Sequence, residues 1–141
     1  MKIKLIGLSA ILWGITFSSC KKEAGEGGTS SIQGRIFAHH LNGLQQWDTS
    51  YYDANTKVYI IYGTDHNTYD DDYTTSYDGS YEFKFLQKGT YRVFAYSADT
   101  TGLSQAIIDQ NRPKIPILKT VEITSKNQKV QVTDLEIIKY N

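Results

Sequence analysis

Apolar and polar residues alternate along most of this 141-residue chain, in short runs that turn-forming residues separate. In one run, Tyr81, Phe83 and Phe85 share one parity, while Glu82 and Lys84 lie between them. A period of two places the two sets on opposite faces of a β-strand, whereas a helix needs a period of 3.6. The sequence therefore predicts an all-β domain. The predicted strands cover residues 32–39, 58–62, 73–77, 81–85, 91–96, 117–123 and 130–138.

Turn signals indicate where these strands end. Asp78-Gly79 predicts a tight hairpin, because glycine readily adopts the positive φ that such a turn requires. Two prolines discourage a long helix in the stretch 98–116. Several short strands with such connections predict an antiparallel β-sandwich of about seven strands. In the last strand the apolar parity changes, and a β-bulge near Thr133-Asp134 would accommodate the change.

Two short motifs resemble a known group of domains. Residues 78–83 read DGSYEF and residues 86–91 read LQKGTY. They resemble the D-G-x-Y-x-F and L-x-x-G-x-Y motifs of carboxypeptidase regulatory-like and Cna-B-like domains, which are small transthyretin-like (prealbumin-like) β-sandwiches. The resemblance covers about residues 31–138 and implies that fold, but a fold does not fix a function. The connections 41–56 and 98–116 are longer than in that family, and loops are where individual functions usually lie.

Two branches of this superfamily carry out chemistry. Hydroxyisourate hydrolases use His and Arg residues and a C-terminal Tyr-Arg-Gly-Ser, whereas this chain ends in Ile-Lys-Tyr-Asn. The resemblance therefore does not extend to that activity. Some Cna-B-like domains form a Lys–Asn isopeptide bond beside a buried carboxylate. In this chain Lys57 and Asn141 are the pair that such a bond would use, provided that they meet in an apolar pocket.

The N-terminus indicates where the protein is located. Lys2 and Lys4 precede an apolar run that ends at Phe17, and two serines follow before Cys20, the only cysteine. This order is typical of a secretory signal peptide. The apolar run is shorter than the roughly 20 residues that span a bilayer. Residues 17–20, Phe-Ser-Ser-Cys, resemble the lipobox of bacterial lipoproteins. In that family the cysteine thiol receives a diacylglycerol, and the signal peptide is cleaved just before the cysteine.

Three segments follow from this interpretation. Residues 1–19 are the predicted lipoprotein signal peptide, residues 20–31 the lipidated cysteine and a flexible Gly/Ser linker, and residues 32–141 the β-sandwich. The short run Lys21-Lys22-Glu23 resembles the surface-export signal of Bacteroidetes lipoproteins. We therefore expect a protein of the cell envelope that is anchored in the outer membrane, facing either the periplasm or the cell surface.

Composition narrows the range of partners. The chain has 15 basic and 15 acidic residues, and it lacks the basic excess that nucleic-acid binding requires. A single cysteine excludes an internal disulfide. All 11 tyrosines lie between Tyr51 and Tyr140, which fits a β-rich domain because tyrosine favours half-buried pleated surfaces.

Aromatic residues in the first long connection form the candidate binding site. Trp47, Tyr51 and Tyr52 all lie within 41–56, and Tyr59, Tyr69 and Tyr73 are close to them in sequence. Exposed Trp and Tyr side chains anchor protein partners and stack on sugars. The sequence predicts either a glycan-binding or protein-binding surface at these residues, or a tryptophan that folds back over the edge of the sandwich.

Metal and catalytic sites are weaker candidates. Four aspartates could supply oxygen ligands to calcium: Asp65, Asp70, Asp71 and Asp72. Their spacing does not match an EF-hand, and a solvated acidic loop explains them better. His39 and His40 point to opposite strand faces, and with His66 they are too few for a zinc site. No nucleophile elbow or phosphate-binding loop is present.

Together these features predict a non-catalytic envelope lipoprotein without a cofactor. The membrane is its first partner, through the lipid on Cys20, and a glycan or an envelope protein is the second. The β-sandwich would act as a binding, adhesion or accessory module. Two alternatives remain open, a structural spacer or accessory subunit of an envelope complex, and a hydrolase whose site the motifs do not reveal.

Overall fold

A computed structural model describes residues 23–42, 44, 46–100 and 113–140. Within these residues the chain forms nine strands and no helix, so no helix that could cross a membrane is found there. The strands are β1 (Glu26–Leu41), β2 (Trp47–Tyr52), β3 (Lys57–Tyr62), β4 (Asp71–Thr74), β5 (Ser80–Leu86), β6 (Gly89–Ala98), β7 (Lys114–Ile123), β8 (Lys129–Gln131) and β9 (Leu135–Tyr140). The predicted signal peptide and Cys20 lie outside the described residues.

Two sheets enclose the core, which confirms the predicted all-β sandwich. In the first sheet β1 is central, with β5 and β2 along one of its edges and β8 and β9 along the other. The second sheet has the order β4-β3-β6-β7 and is antiparallel. β8 and β9 run parallel to β1, so the first sheet is mixed, whereas the sequence pattern predicts antiparallel pairing only.

Alternate residues of the central strands form the core between the sheets. Ile32 and Ile36 on β1 face Val58 and Ile60 on β3 across this core, and all four are fully buried. Their parity is the one that the sequence pattern predicts. Burial of such side chains removes apolar surface from water, which is the main favourable term in folding.

The sequence pattern misses one strand and joins two others. It predicts a loop over 41–56, but β2 lies there. All six residues of β2 are exposed, so the strand has no buried side and no apolar alternation. The single strand predicted over 130–138 is in fact β8 and β9. Instead of the expected bulge at Thr133-Asp134, residues 132–134 form a break between them, and the Val132 N–H donates to the Gln33 carbonyl at 2.8 Å.

Strand β1 begins at Glu26, inside the segment that is predicted to be a flexible linker. Glu26 and Ser30 both pair with Leu86, and the residues between them bulge out. A Cβ atom at Gly28 would lie only 1.8 Å from the Leu86 carbonyl oxygen. The glycine at this position therefore permits close backbone packing, whereas the composition of the segment suggests flexibility.

The Asp78-Gly79 turn forms, but it connects different sheets. Gly79 has a φ of 74°, and the Ser76 N–H donates to the Ser80 carbonyl at 2.9 Å. However, β4 pairs with β3 and β5 pairs with β1. The prediction of a hairpin between these two strands is therefore wrong, because a local turn signal does not determine which sheet each flanking strand joins.

Phe85 departs from the predicted alternation of β5. Phe83 pairs with Ile32 and Leu86 pairs with Ser30, so β5 holds one residue more than β1 over this stretch. Phe85 has a φ of 59° and its side chain is 69% exposed, while Leu86 is buried in its place. The bulge thus moves Phe85 from the expected core position to the surface.

The sandwich has two ends. The proximal end is the one where β1 begins, and it contains the β5–β6 turn (86–89), the β7–β8 turn (124–128) and the loop after β3. The distal end contains the end of β1 at Leu41, together with Trp47 and Tyr140, which both pair with Leu41. β1 runs the whole length between them, about 50 Å at most for 16 residues.

Candidate functional site

An aromatic strip crosses the outer face of the first sheet. We define it by the residues Phe37, His39, Trp47 and Tyr52. The rings of Tyr52 and Phe37 lie 5.2 Å apart, and those of Phe37 and His39 are also 5.2 Å apart. The Trp47 ring follows at 5.9 Å from His39. All three contacts are edge-to-face, a favourable geometry for aromatic pairs. Trp47 is 65% exposed and Tyr52 is 40% exposed, so the strip presents ring surface to solvent.

Trp47 joins this strip through an irregular register between β1 and β2. His39 pairs with Ser50, whereas Leu41 pairs with Trp47. Two steps along β1 therefore match three steps along β2, which is a β-bulge in β2. The additional residue shifts the alternation of side chains. As a result Trp47 comes to the same face as Ser50 and contacts the His39 ring.

Polar neighbours fix the orientation of Tyr52. Its hydroxyl donates to the Asp134 carboxylate at 3.0 Å. The Arg35 guanidinium lies 4.9 Å above the centre of its ring, within the range of a cation–π contact. Arg35 also forms an ion pair with Asp78 at 3.5 Å. The ring is thus held by its hydroxyl and by a cation over one of its faces before any ligand arrives.

Tyr51 does not belong to the strip. It pairs with Ala38, and its ring stacks on the buried His40 with centroids 4.5 Å apart and an angle of 14°. It is exposed, but on the other side of β2 from Tyr52, since adjacent strand residues face opposite ways. Of the three aromatic residues that the sequence singles out, the structure therefore brings Trp47 and Tyr52 to one face and separates Tyr51 from them.

A histidine between a hydroxyl and a carboxylate lies within the strip. His39 Nδ1 is 2.9 Å from Ser50 Oγ, and its Nε2 is 3.5 Å from the Glu136 carboxylate. These are the groups of a serine hydrolase. However, they lie on the face of a sheet, and the Glu136 side chain is 70% exposed. Among the described residues this group stays open to solvent, whereas acyl transfer uses an oxyanion hole from which water is excluded. The arrangement suits hydrogen bonding to a ligand.

A second group of aromatic residues lies on the outer face of the second sheet, and the sequence interpretation misses two of its members, Phe94 and Tyr96. We call Tyr59, Tyr69, Phe94 and Tyr96 the aromatic patch. The Tyr59 ring is 4.8 Å from Tyr69 and 5.1 Å from Phe94. Tyr96 is 5.6 Å from Tyr59. The signal was present in the sequence, because Tyr59, Phe94 and Tyr96 have the opposite parity to the core residues of their strands. The pairing of Tyr59 with Phe94 then brings them together.

The loop 63–70 folds over this outer face, and Arg92 holds it there. The guanidinium donates to the carbonyl oxygens of Gly63 and His66 and to the Asn67 side chain. His66 in turn lies between two carboxylates, at 3.0 Å from Asp70 and 3.1 Å from Asp65. These hydrogen bonds, to Asp70 first and to Asp65 second, raise the pKa of His66 above its usual range. The loop thereby supports Tyr69 within the aromatic patch.

The four aspartates of the calcium candidate do not converge. Asp65 and Asp70 bind His66, and Asp70 also accepts the Tyr62 N–H at 2.7 Å. Asp71 accepts the N–H of its neighbour Asp72, which forms an ion pair with Lys57. Among the described residues, no group of three or more His, Cys, Asp or Glu side chains is arranged to hold a metal.

The isopeptide pair does not have the environment that the bond requires. The Lys57 side chain is 54% exposed and lies in an ion pair with Asp72. Asn141 lies outside the described residues, as does Cys20. A solvent-exposed lysine is ordinarily protonated, and it lacks the apolar pocket that would make it a nucleophile.

Comparison with known proteins gives a fold-level likeness only. No family model matches the chain, and no curated protein sequence is significantly similar to it. Among solved structures, a crystal structure of "a putative carbohydrate binding protein" from Pseudomonas aeruginosa superimposes with a TM-score of 0.46 at 16% sequence identity. The match covers 78% of this chain and 91% of that protein.

Proposed function

We propose that this protein is a lipid-anchored, non-catalytic binding module of the outer membrane, and that the aromatic strip is its ligand-binding surface. The observation that carries the proposal is the continuous line of rings from Tyr52 to Trp47 on a solvent-facing sheet. Aromatic residues that are both exposed and held in place supply contact area at a low entropic cost. The strip therefore resembles a ready binding surface.

Carbohydrate is the ligand class that this surface fits best. Sugar rings present C–H groups on their faces, and these groups are attracted to the negative faces of aromatic rings. Their hydroxyl groups need polar partners at the edge. His39, Ser50 and Glu136 supply such donors and acceptors beside the rings. A sheet face of this kind would bind an extended glycan along the line from Tyr52 to Trp47.

Anchoring through Cys20 is part of the same proposal. A lipobox cysteine carries at least two acyl chains, and two chains are what stable membrane attachment needs. Mass spectrometry of the full chain expressed in a Gram-negative host should find a diacylglyceryl and acyl addition on Cys20. The variant Cys20→Ala should appear in the soluble fraction without it. An unmodified cysteine in the membrane fraction would refute the anchor.

A glycan array with calorimetry of the best ligand tests the binding site. Trp47→Ala should weaken binding about 30-fold, because the largest and most exposed ring of the strip is lost and an aromatic anchor is worth roughly 2 kcal/mol. Tyr52→Ala should weaken it as well. The matched control is Tyr96→Ala, which removes a similarly exposed ring from the other sheet and should leave the affinity unchanged. If Tyr96→Ala abolishes binding and Trp47→Ala does not, the strip is not the site.

Two results would favour the alternatives. A blank array together with a co-purifying envelope protein would support the accessory-subunit role. Cleavage of a bound glycan or ester that Ser50→Ala abolishes would support a hydrolase at His39. Under the proposed function, Ser50→Ala only weakens binding, because one edge hydrogen bond is lost.

A further inference from the structure

We propose that the proximal end of the sandwich rests on the lipid headgroups of the membrane. In this arrangement Phe85 inserts its ring at the membrane surface, and Lys88 and Lys126 contact anionic headgroups. The inference rests on the proposed lipidation of Cys20. It adds a second, direct contact between the folded domain and the bilayer.

The chain between Cys20 and the folded body is short. The Gly25 N–H donates to the Tyr91 hydroxyl at 3.0 Å, and the Gly25 carbonyl accepts the Gln87 N–H at 2.8 Å. Gly25 is therefore fixed against the proximal end. A fully extended chain spans at most about 3.6 Å per residue, so the five steps from Cys20 to Gly25 reach about 18 Å at most. A lipid at Cys20 thus keeps this end within reach of the headgroups.

Phe85 occupies a position where glycine would be the usual choice. It is the left-handed residue of the β5 bulge, with a φ of 59°. Only glycine adopts that conformation without steric cost, and a glycine is common in such bulges. Yet the chain carries a phenylalanine here, and this residue is 69% exposed. It lies two residues before Gln87, whose N–H donates to the Gly25 carbonyl. An exposed apolar ring beside the anchor is suited to insertion at a membrane interface.

Two lysines lie at the same end. Lys88 and Lys126 line a groove of about 310 Å³ whose other walls are the glycine-rich start of β1 and the β5–β6 turn. Both side chains are exposed, and neither forms an ion pair with another described residue. Lysines near an anionic leaflet are attracted to its headgroups. Charge complementarity therefore selects the bilayer as the occupant of this surface.

Acidic groups at the proximal end lie on the side of the second sheet, where the Glu26 carboxylate is 3.4 Å from the Tyr62 hydroxyl. Glu23, Asp65 and Asp70 line a separate pocket that borders the second sheet near Tyr62. They would be repelled by anionic lipid. The domain should therefore tilt so that β5 and the groove between Lys88 and Lys126 face the headgroups. The distal end, with the aromatic strip's Trp47, then points away from the membrane.

Fluorescence quenching on vesicles tests this arrangement. Residues 20–141 contain every described residue, and Cys20 is their only thiol, so this chain can be coupled to a maleimide lipid in vesicles of phosphatidylcholine and phosphatidylglycerol. Trp47 is its only tryptophan. The double variant Trp47→Phe with Phe85→Trp moves the fluorophore to the proximal end. A nitroxide on the lipid headgroup should quench the tryptophan at position 85 several-fold more than it quenches Trp47 in the unchanged chain.

Charge variants provide the second readout. In the double variant, Lys88→Glu and Lys126→Glu should each reduce the fraction of protein whose proximal end contacts the headgroups by about five-fold, on vesicles containing phosphatidylglycerol. A higher salt concentration should reduce this fraction in the same way. Lys114→Glu makes the same charge change at the distal end and should have no effect. Equal quenching of the two tryptophans, or the same loss in all three charge variants, would overturn the proposal.

The coupling step separates this inference from the proposed lipidation. Because the maleimide lipid attaches the chain artificially, quenching at position 85 is measured whether or not Cys20 is lipidated in cells. A lipidated protein whose position 85 is unquenched would refute only the headgroup contact. A quenched position 85 on a protein that cells do not lipidate would refute only the natural anchor.

Discussion

Replacing the Tyr81 hydroxyl should stabilise the fold. Tyr81 is 2% exposed, and its hydroxyl oxygen has no hydrogen-bond partner in the part of the chain that the structure describes. An unsatisfied buried polar group costs about 1–3 kcal/mol. Tyr81→Phe removes it and keeps the ring, so we expect the free energy of unfolding to rise by about 1 kcal/mol. For a domain of this size that corresponds to roughly 3–5 °C in the melting temperature.

The residue opposite Tyr81 explains why the hydroxyl is tolerated at all. Gly34 pairs directly with Tyr81, and a Cβ atom there would lie 2.5 Å from the hydroxyl oxygen and 2.7 Å from the ring carbon that bears it. Gly34→Ala should therefore lower the free energy of unfolding by about 1–3 kcal/mol, the usual cost of overpacking. In the Tyr81→Phe background this loss should shrink without disappearing, since only the shorter of the two contacts is removed.

Urea unfolding followed by circular dichroism measures all four proteins of this double-mutant cycle. Tyr77→Phe is the control, because Tyr77 is 91% exposed and its hydroxyl costs nothing in the fold. Burial also raises the pKa of Tyr81 above its usual range, so the fold loses stability as the pH rises above about 10, where the unfolded tyrosine ionises. Tyr81→Phe should lose less there. A destabilisation of more than 1 kcal/mol by Tyr81→Phe at neutral pH would refute the reasoning.

Three further predictions concern the loop 63–70 and the β5 bulge. Because the pKa of His66 is raised in the fold, its contribution to stability is complete below about pH 6.5 and is lost as the pH rises through the folded-state pKa. His66→Gln should therefore make the melting temperature less dependent on pH between about pH 5 and 8. Arg92→Ala should lower the free energy of unfolding by about 1–3 kcal/mol and increase hydrogen exchange in this loop. Arg92→Lys should recover part of this loss, because it keeps the positive charge but lacks the several N–H donors of the guanidinium. Phe85→Gly should raise the free energy of unfolding by up to about 1 kcal/mol, because glycine adopts the left-handed conformation without strain, and a calorimetric decrease would contradict that account.

The sequence predicts the parts of the fold in which one face of a strand is buried. Ile32, Ile36, Tyr81 and Phe83 all reach the core from the parity that their alternation indicates. The strand β2 is invisible to the same reasoning, because none of its residues is buried. Apolar residues alternate with polar ones only where one face of a strand is buried, so a strand with no buried face shows no alternation in the sequence.

The candidate site was predictable in residue type and not in arrangement. Trp47 and Tyr52 are five positions apart, so regular alternation would place them on opposite faces. They share a face only because of the bulge between Trp47 and Ser50, and a bulge depends on pairing with β1 that the local sequence does not encode. Phe85 is exposed for the same kind of reason. The two irregular registers thus produce the two surfaces to which we assign functions.

The length of β1 has a mechanical consequence. Under the proposed function, a membrane holds the chain at the start of β1 while a ligand pulls near Trp47, at its far end. The force then runs along the strand axis, and the hydrogen bonds to β5, β2, β8 and β9 lie across it. In that geometry the bonds are sheared together and do not open one after another. We expect the domain to resist pulling between these two points far better than pulling that peels β2 away from its edge.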